Sequence, residues 1–540
     1  MTSKTAPPSL RVAVVAALVG CAVTALRVLA MQGFSNDHFF YLSRAAQLLH
    51  GARPVRDFVD PGFPLAIAAS AVAQRLEPTL FSEALLVAAA FGLSAAITMW
   101  VMHRWLGSLA LALWAAFVQV AVLPRSYSYP KVLMYAIGVW AFLWWTRSRT
   151  RAAAAGLGVV TGLAFLFRHD HGLWLGLGSL VLLAGGPVWR TRGALSSRLW
   201  PFFAGVCVLV APHLFWVQTQ GGIGAYFADG VSFSEREAQR TLLALPALNA
   251  PAWSPDGLGV LAYYALWLAP IVASALLWAR RRAVADAWLV VAVITLAACA
   301  NVGFLRDPLA YRVSDAVVPF TCVLAWAAAS TWEAGRTGSM WLRRGVVTGI
   351  LVAVAVAAAR IGDLEQALDR AQMLRWTPRP LTRWHNVVAE LRQPYKDDQM
   401  PSDIALALVP FDRYVQVCTP ETARVLVTGF APEVAYYARR GFAGGHPSLY
   451  RGYYASDAEQ RRIVDRLRRE QVLFVVETAE GAEPFGTSFP LVQDYLRGRF
   501  TALATLSVDG SPPVHIFINS AIPNAPIDPQ TGWPCPGPRL

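Results

Sequence analysis

Directly after its first apolar run the chain reads Asn36-Asp37-His38-Phe39-Phe40-Tyr41, and Arg44, Arg53, Arg56, Asp57 and Asp60-Pro61-Gly62 follow closely. Acids, bases and aromatic rings are concentrated where a membrane helix leaves the bilayer. That chemistry suits an enzyme working on a lipid-linked substrate at the membrane face. A passive anchor has no use for it. Apolar residues at 39, 42, 45, 46 and 49 form a helical stripe over 38–50, which predicts a helix lying flat on the membrane. Asp37 stands at its N-terminus. The plain reading is that Asn36 or Asp37 caps this helix. Capping and catalysis are compatible in one residue, because a helix N-terminus favours the carboxylate form.

Three further groups carry charge at helix junctions. Phe167-Arg168-His169-Asp170-His171-Gly172 breaks a long apolar run between Arg151 and Trp189. Charges at membrane depth are expensive and usually functional. The structural alternative is an Arg168–Asp170 pair that only fixes a tight turn. Arg306-Asp307-Pro308, Tyr311-Arg312 and Asp315 form the third group, and Arg125-Ser126-Tyr127-Ser128-Tyr129-Pro130-Lys131 the fourth. Arginines here can hold a phosphate through paired hydrogen bonds, or contact lipid headgroups and nearby acids. Arg27, inside the first run, either snorkels to the surface or points into the site. His38, His169 and His171 lie near these acids without regular ligand spacing, so no metal is assigned. Trp and Tyr elsewhere suit an interfacial belt better than a sugar platform.

The elements that position these groups are membrane helices. Of 540 residues, 55% are hydrophobic and only 15% charged, against roughly a quarter charged in soluble domains. Each crossing needs roughly 20 apolar residues, and in hydrocarbon the backbone must satisfy its own hydrogen bonds, which selects helices. The net charge of +13 does not read as nucleic-acid binding. Its arginines gather in short loops, as at Arg147-Ser148-Arg149-Thr150-Arg151 and Arg280-Arg281-Arg282, which is the positive-inside pattern. Cysteines at 21, 207, 299, 322, 418 and 535 lack metal-ligand spacing. The first four fall in apolar runs as small apolar residues. Cys418 and Cys535 fall in the tail, where sequence leaves their pairing open. Val28-Leu29-Ala30 resembles a peptidase site, but the preceding stretch is long for a signal peptide and reads as an uncleaved span.

Eleven runs are long enough to span, at about 12–31, 83–102, 106–123, 132–146, 152–167, 172–189, 199–217, 258–279, 285–304, 316–332 and 345–359. The shorter stretch 63–74 suits an interfacial helix. An odd count places the termini on opposite faces. With the N-terminus inside, the inner loops collect arginines from Arg104 to Arg344, with only Asp286 and Glu333 as acids. The outer loops then hold Asp37, Asp57, Asp60, Asp170, Asp229, Glu235, Glu237, Asp256, Asp307 and Asp315. The expected fold is an α-helical polytopic membrane protein of about eleven transmembrane helices over 1–359, with a first outer loop at 32–80. Residues 360–540 are charged and mixed. There Val425-Leu426-Val427, Val472-Leu473-Phe474-Val475-Val476 and His515-Ile516-Phe517-Ile518 read as strands, and 456–469 and 488–498 as helices. This predicts an extracytoplasmic α/β domain with a loose tail at 521–540.

These residues resemble the GT-C superfamily of membrane glycosyltransferases, in the branch of the protein O-mannosyltransferases and the aminoarabinose transferase of lipid A. Members carry an essential acid directly after the first span, where Asp37 stands, then an interfacial helix and a second acid in a later outer loop, which Asp170 matches. Tyr41, Leu48-Leu49, Gly51, Pro54, Arg56-Asp57-Phe58 and Pro64 look like the first loop of uncharacterised bacterial members. So do Phe167 to Gly172 and the tail residues Pro432-Glu433, Tyr437-Ala438 and Arg440. One departure is Asn36-Asp37-His38 where the mannosyltransferases have an Asp-Glu pair.

The resemblance implies sugar transfer from a polyprenyl-phosphate donor to a glycan, lipid or protein acceptor on the outer face of a bacterial cytoplasmic membrane, with inversion. Asp37 would be the base that assists acceptor attack. Asp170 would orient an acceptor, an arginine or the base. Arg168, His169, Lys131, Arg306, Arg312, Arg56 and His38 are the substrate-binding candidates, and cations among them would stabilise the departing lipid phosphate. No soluble nucleotide sugar is implied, and the residues assign no divalent metal. A transporter or flippase predicts acids deep inside spans and often an internal repeat; the charged breaks instead gather on one face. A non-catalytic envelope-assembly protein is the other alternative.

Overall fold

Every apolar run expected to span lies on a helix in the computed structural model. The structure describes residues 10–185, 192–239, 246–247, 249–280, 286–305, 310–333, 340–374, 379–393, 395, 400–478, 484–508, 510–522 and 525–537. The helices over the first part of the chain are α1 (Leu10–Leu29), α2 (Asn36–Leu49), α3 (Pro64–Leu76), α4 (Leu80–Leu106), α5 (Leu109–Ala121), α6 (Tyr129–Ser148), α7 (Arg151–Phe167) and α8 (His169–Ala184). Next come α9 (Arg192–Gln220), α10 (Ile223–Gln239), α11 (Pro255–Arg280), α12 (Ala287–Leu305), α13 (Val313–Glu333) and α14 (Met340–Ile361).

Among the described residues, six helices are long and apolar enough to cross a membrane: α1, α4, α9 from Leu195, α11, α13 with the turn before it, and α14. Helices α5, α7 and α12 are apolar but shorter, and α6 and α8 carry Lys131 and Asp170 in their first turns. The fold is that of a polytopic membrane protein with a C-terminal sheet. Contacts divide it into two compact units. Unit 1 is Met1–Met31, Ala84–His213 and Ala238–His385; unit 2 is Gln32–Glu83, Leu214–Glu237 and Asn386–Leu540.

Unit 1 is built from helices that pack through small residues. A Cβ on Gly158 of α7 would lie 1.9 Å from the Phe202 carbonyl oxygen, and one on Gly205 of α9 would lie 2.1 Å from that of Ala155. Only glycine allows these backbones to approach so closely. Helices α7 and α8 are separated by Arg168 alone, in an extended conformation. The break is thus a one-residue turn.

Helix α15 (Leu364–Arg370) belongs to unit 1, and α16 (Pro380–Arg392) passes into unit 2 at Asn386. Then follow α17 (Asp403–Ala407), α18 (Val409–Cys418), β1 (Arg424–Thr428), α19 (Val434–Tyr437), β2 (Gly441–Phe442) and α20 (Asp457–Leu467). The chain continues through β3 (Val472–Thr478), α21 (Phe485–Ser488), α22 (Pro490–Leu496), β4 (Phe500–Leu506) and β5 (Val514–Asn519). The sheet order is β2-β1-β3-β5-β4, with β1 parallel to β2 and β3, and β5 antiparallel to β3 and β4.

Both faces of the central strands are covered. Val425, Val427, Phe474 and Val476 pack with Phe411 and Val415 of α18, while Leu426 and Val475 pack with Ile463 of α20 and Val492 of α22. That explains the unbroken apolar run in β3, since a strand buried on both faces does not alternate. Cys418 and Cys535 form a disulfide. The Arg440 guanidinium donates to the carbonyls of Val415, Gln416 and Thr419 at 2.8–3.2 Å, closing the C-terminus of α18.

Candidate functional site

Three helices of unit 1 begin close together, and each carries a charged residue in its first turn. Lys131 is the third residue of α6, Asp170 the second of α8 and Asp315 the third of α13. Lys131 Nζ donates to Asp315 Oδ2 at 2.5 Å, and Ser128 Oγ donates to the other carboxylate oxygen at 2.9 Å. Arg168 Nε donates to both Asp170 oxygens, at 2.8 and 3.1 Å, and the His171 backbone N–H donates to Asp170 Oδ1 at 2.9 Å. Tyr135, one turn after Lys131 in α6, is bonded to His171 Nδ1. The charges of Lys131, Arg168, Asp170, His171 and Asp315 act on one another. At the rim the Arg125 guanidinium lies 3.6 Å from the ring centre of Tyr311, next to Arg312.

A helix N-terminus presents unsatisfied N–H groups and a partial positive charge, and three of them begin here. Among the described residues of the cluster, Arg125, Lys131, Arg168 and Arg312 outnumber the carboxylates Asp170 and Asp315. The arrangement is suited to binding a polyvalent anion such as a phosphate. The turn depends on Gly172, whose added Cβ would lie 2.2 Å from the Phe165 Cα.

In unit 2, Asp37 is exposed in the first turn of α2. The N-cap is Ser35, whose side chain makes no capping hydrogen bond among the described residues. Neither Asn36 nor Asp37 therefore spends itself as the cap. The helix is held from its other face. His38 is fully buried, and its Nε2 is 2.8 Å from Glu83 Oε1, which also accepts from Ser70 Oγ at 2.7 Å. Ser43 Oγ donates to the Pro432 carbonyl at 2.5 Å and Gln47 to that of Phe442 at 3.2 Å. The carboxylate of Asp37 is thus presented outward by a helix whose inner face is fixed.

No family model matches the chain, and no curated protein matches it. Among solved structures, it is similar to ArnT from Cupriavidus metallidurans in the apo state, with a TM-score of 0.50 and 13% identity over 94% of this chain and 98% of that one. It is also similar to the arabinofuranosyltransferase AftD from Mycobacteria, with a TM-score of 0.45 and 16% identity over 96% of this chain and 40% of that one. The chain has the GT-C fold.

Within this GT-C fold, the residues singled out in the sequence separate into three sets. Lys131, Arg168 and Asp170 belong to the cluster of unit 1, with Arg312 at its rim. His169 stacks on Phe165 with ring centres 4.2 Å apart. Asp37, His38 and Arg56 belong to unit 2, where His38 faces inward to Glu83. Arg56 forms an exposed two-bond pair with Asp57, at 2.7 and 2.8 Å. Arg306 lies outside the described residues. Arg27 Nη2 donates to the Pro124 carbonyl at 2.6 Å, and its guanidinium lies over Phe91.

Sequence reasoning named Asp315 without giving it a role, and it missed Tyr135 and Glu83. The signal for Asp315 was available as an acid in a helix's first turn. Glu83 offered none, being one acid at the start of an apolar run. Among the described residues, no three His, Cys, Asp or Glu side chains are grouped as metal ligands.

Proposed function

We propose that the chain is an integral-membrane glycosyltransferase that moves a sugar from a polyprenyl-phosphate donor to an acceptor on the extracytoplasmic face. The observation that carries this reading is the cationic cluster of Lys131, Arg168 and Arg312 at three helix N-termini, within a GT-C fold. As the glycosidic C–O bond breaks, its electron pair stays on the lipid phosphate. Lys131, Arg168 and the helix N-termini stabilise that growing charge. Asp315 and Asp170 hold the two cations in place. A general base takes the acceptor hydroxyl proton while the oxygen attacks the anomeric carbon, so a single displacement inverts that centre; Asp37 is the residue that the family resemblance implies for that base. The sugar is a hexose or pentose, and the acceptor a glycan, lipid or protein.

The test is a native-mass-spectrometry survey of lipids retained by the purified chain, comparing wild type, Asp37→Asn and Lys131→Met after exposure to a bacterial membrane extract. The expected result is a polyprenyl-phosphate sugar that accumulates in Asp37→Asn and is depleted in Lys131→Met. Retention of bulk phospholipid alone by all three folded proteins would overturn the reading in favour of a transporter or assembly factor.

A further inference from the structure

Three aromatic rings of unit 2 meet in a half-buried surface, one of them on the same helix as Asp37. Phe40 follows Asp37 by three residues in α2, and residues at that spacing lie on one side of a helix. Its ring centre is 5.8 Å from Phe430 and 6.0 Å from Tyr450, and those two are 5.2 Å apart, edge to face. All three remain partly exposed. Phe430 and Tyr450 arrive there by a feature of the sheet. Phe430 follows Gly429, which takes φ +104° immediately after β1, and Tyr450 follows Leu449, which is bridged in parallel to Thr428.

The chain runs from β1 outward to β2 and then crosses back to β3 on the other side of β1. The carboxyl ends of β1 and β3 therefore border a topological switch point, where open α/β sheets bind ligands. Gly429 is pressed against Thr478 at the end of β3, leaving no room for a side chain. Polar groups converge behind the rings. The Arg44 guanidinium lies 5.5 Å from the Phe40 ring centre and donates to the carbonyls of Phe40 and Val59, and Asp60 is in electrostatic reach of it. Aromatic faces beside a few fixed charged groups suit a ligand with one apolar face and a polar edge.

We propose that Phe40, Phe430 and Tyr450 form a platform for the C–H face of an acceptor sugar. The assignment to the acceptor rests on the proposed role of Asp37, since a base must lie beside the hydroxyl it deprotonates. It makes the acceptor a carbohydrate rather than a protein side chain or a simple lipid.

The experiment is saturation-transfer NMR on the full chain in nanodiscs, with methyl α-D-mannopyranoside, methyl β-D-galactopyranoside and methyl α-D-arabinofuranoside as probes. At least one glycoside should receive saturation on its ring C–H protons above the level of empty nanodiscs. Phe430→Leu and Phe40→Leu, which keep apolar bulk and lose the ring, should each weaken binding by about fivefold. Phe430→Trp should retain it, and a polyprenyl-phosphate sugar should leave it undisturbed. The proposal is overturned if no glycoside is saturated, if both leucine variants bind as wild type, or if the donor lipid displaces the glycoside. The lipid survey judges the transferase reading separately: a retained donor with a silent platform refutes only the platform, whereas glycoside binding without any donor refutes the transferase and the acceptor role with it, leaving a glycoside-binding surface.

Discussion

A lysine in the first turn of a helix opposes the macrodipole, and burial adds to the cost. Lys131 accepts both conditions, with Asp315 as its partner at 2.5 Å. Breaking such a pair by removing one member leaves the other poorly compensated, whereas removing both can be nearly neutral. Lys131→Met and Asp315→Asn should therefore each lower the melting temperature, and the double variant should recover most of the loss. Transfer should stay at least about 100-fold down in Lys131→Met and in the double variant, because the phosphate has lost its cation. Recovery of transfer along with stability in the double variant would make the pair purely structural.

Glu433 offers a different test at the same scale. Burial pushes its carboxyl up to about 7, and burial also raises neighbouring Asp412, with Glu433 as the second cause. An unfolded glutamate ionises near pH 4.3, so between there and about pH 7 the folded state binds more protons. Stability must then fall as pH rises through that window and level off above it, by roughly 3 kcal/mol from Glu433. Glu433→Gln should melt with wild type near pH 5 and above it at pH 8. Parallel melting curves across that range would refute the assignment.

At the scale of elements, the two units rest on different devices. The Arg440 side chain closes α18 beside the disulfide through a planar fork that lysine lacks. Arg440→Lys should cost about 2 kcal/mol, since several carbonyls lose a charged donor, and denaturation of the wild type and variant would measure it. In unit 1, Gly158→Leu should push α7 from α9 and reduce the yield of folded protein, while a leucine at Gly303, whose Cβ would meet open space among the described residues, should not. Equal yields would contradict the close packing.

Which elements could be read from sequence follows from where their information lies. Apolar runs are local signals, so each met a helix, as did the stripe that became α2 and the break at Arg168. The strand β4 did not announce itself, because much of it is exposed and its Phe500-Thr501-Ala502-Leu503 start has no clear alternation. Helix α10 was hidden by its polar character. For the site, Asp37 and Asp170 could be read from their places at helix starts. The pairing of Lys131 with Asp315 spans 184 residues, and that of His38 with Glu83 spans 45. Neither is encoded in spacing, and only folding reveals that His38 spends its ring on an interior bond while Asp37 keeps its carboxylate outside.

At the scale of the whole molecule, the charge pattern and the disulfide bear on the same question. Arginine-rich loops favour the cytoplasmic side, and disulfides persist in oxidising compartments outside it. Cys418 and Cys535 are bonded to each other, whereas Cys21, Cys207, Cys299 and Cys322 are free and lie on helices. Both signals favour placing the C-terminal residues outside and the Arg147–Arg151 turn inside. A fused phosphatase that acquires activity only where its own disulfides form should be active after residue 540 and inactive in the Arg147–Arg151 loop. Alkylation of the intact chain should leave Cys418 and Cys535 unmodified until a reductant is added. The reverse reporter pattern would put the C-terminal residues in the cytoplasm, where nucleotide sugars are available. A lipid-phosphate donor would then lose its main advantage, and the proposed outer-face reaction would have to be abandoned.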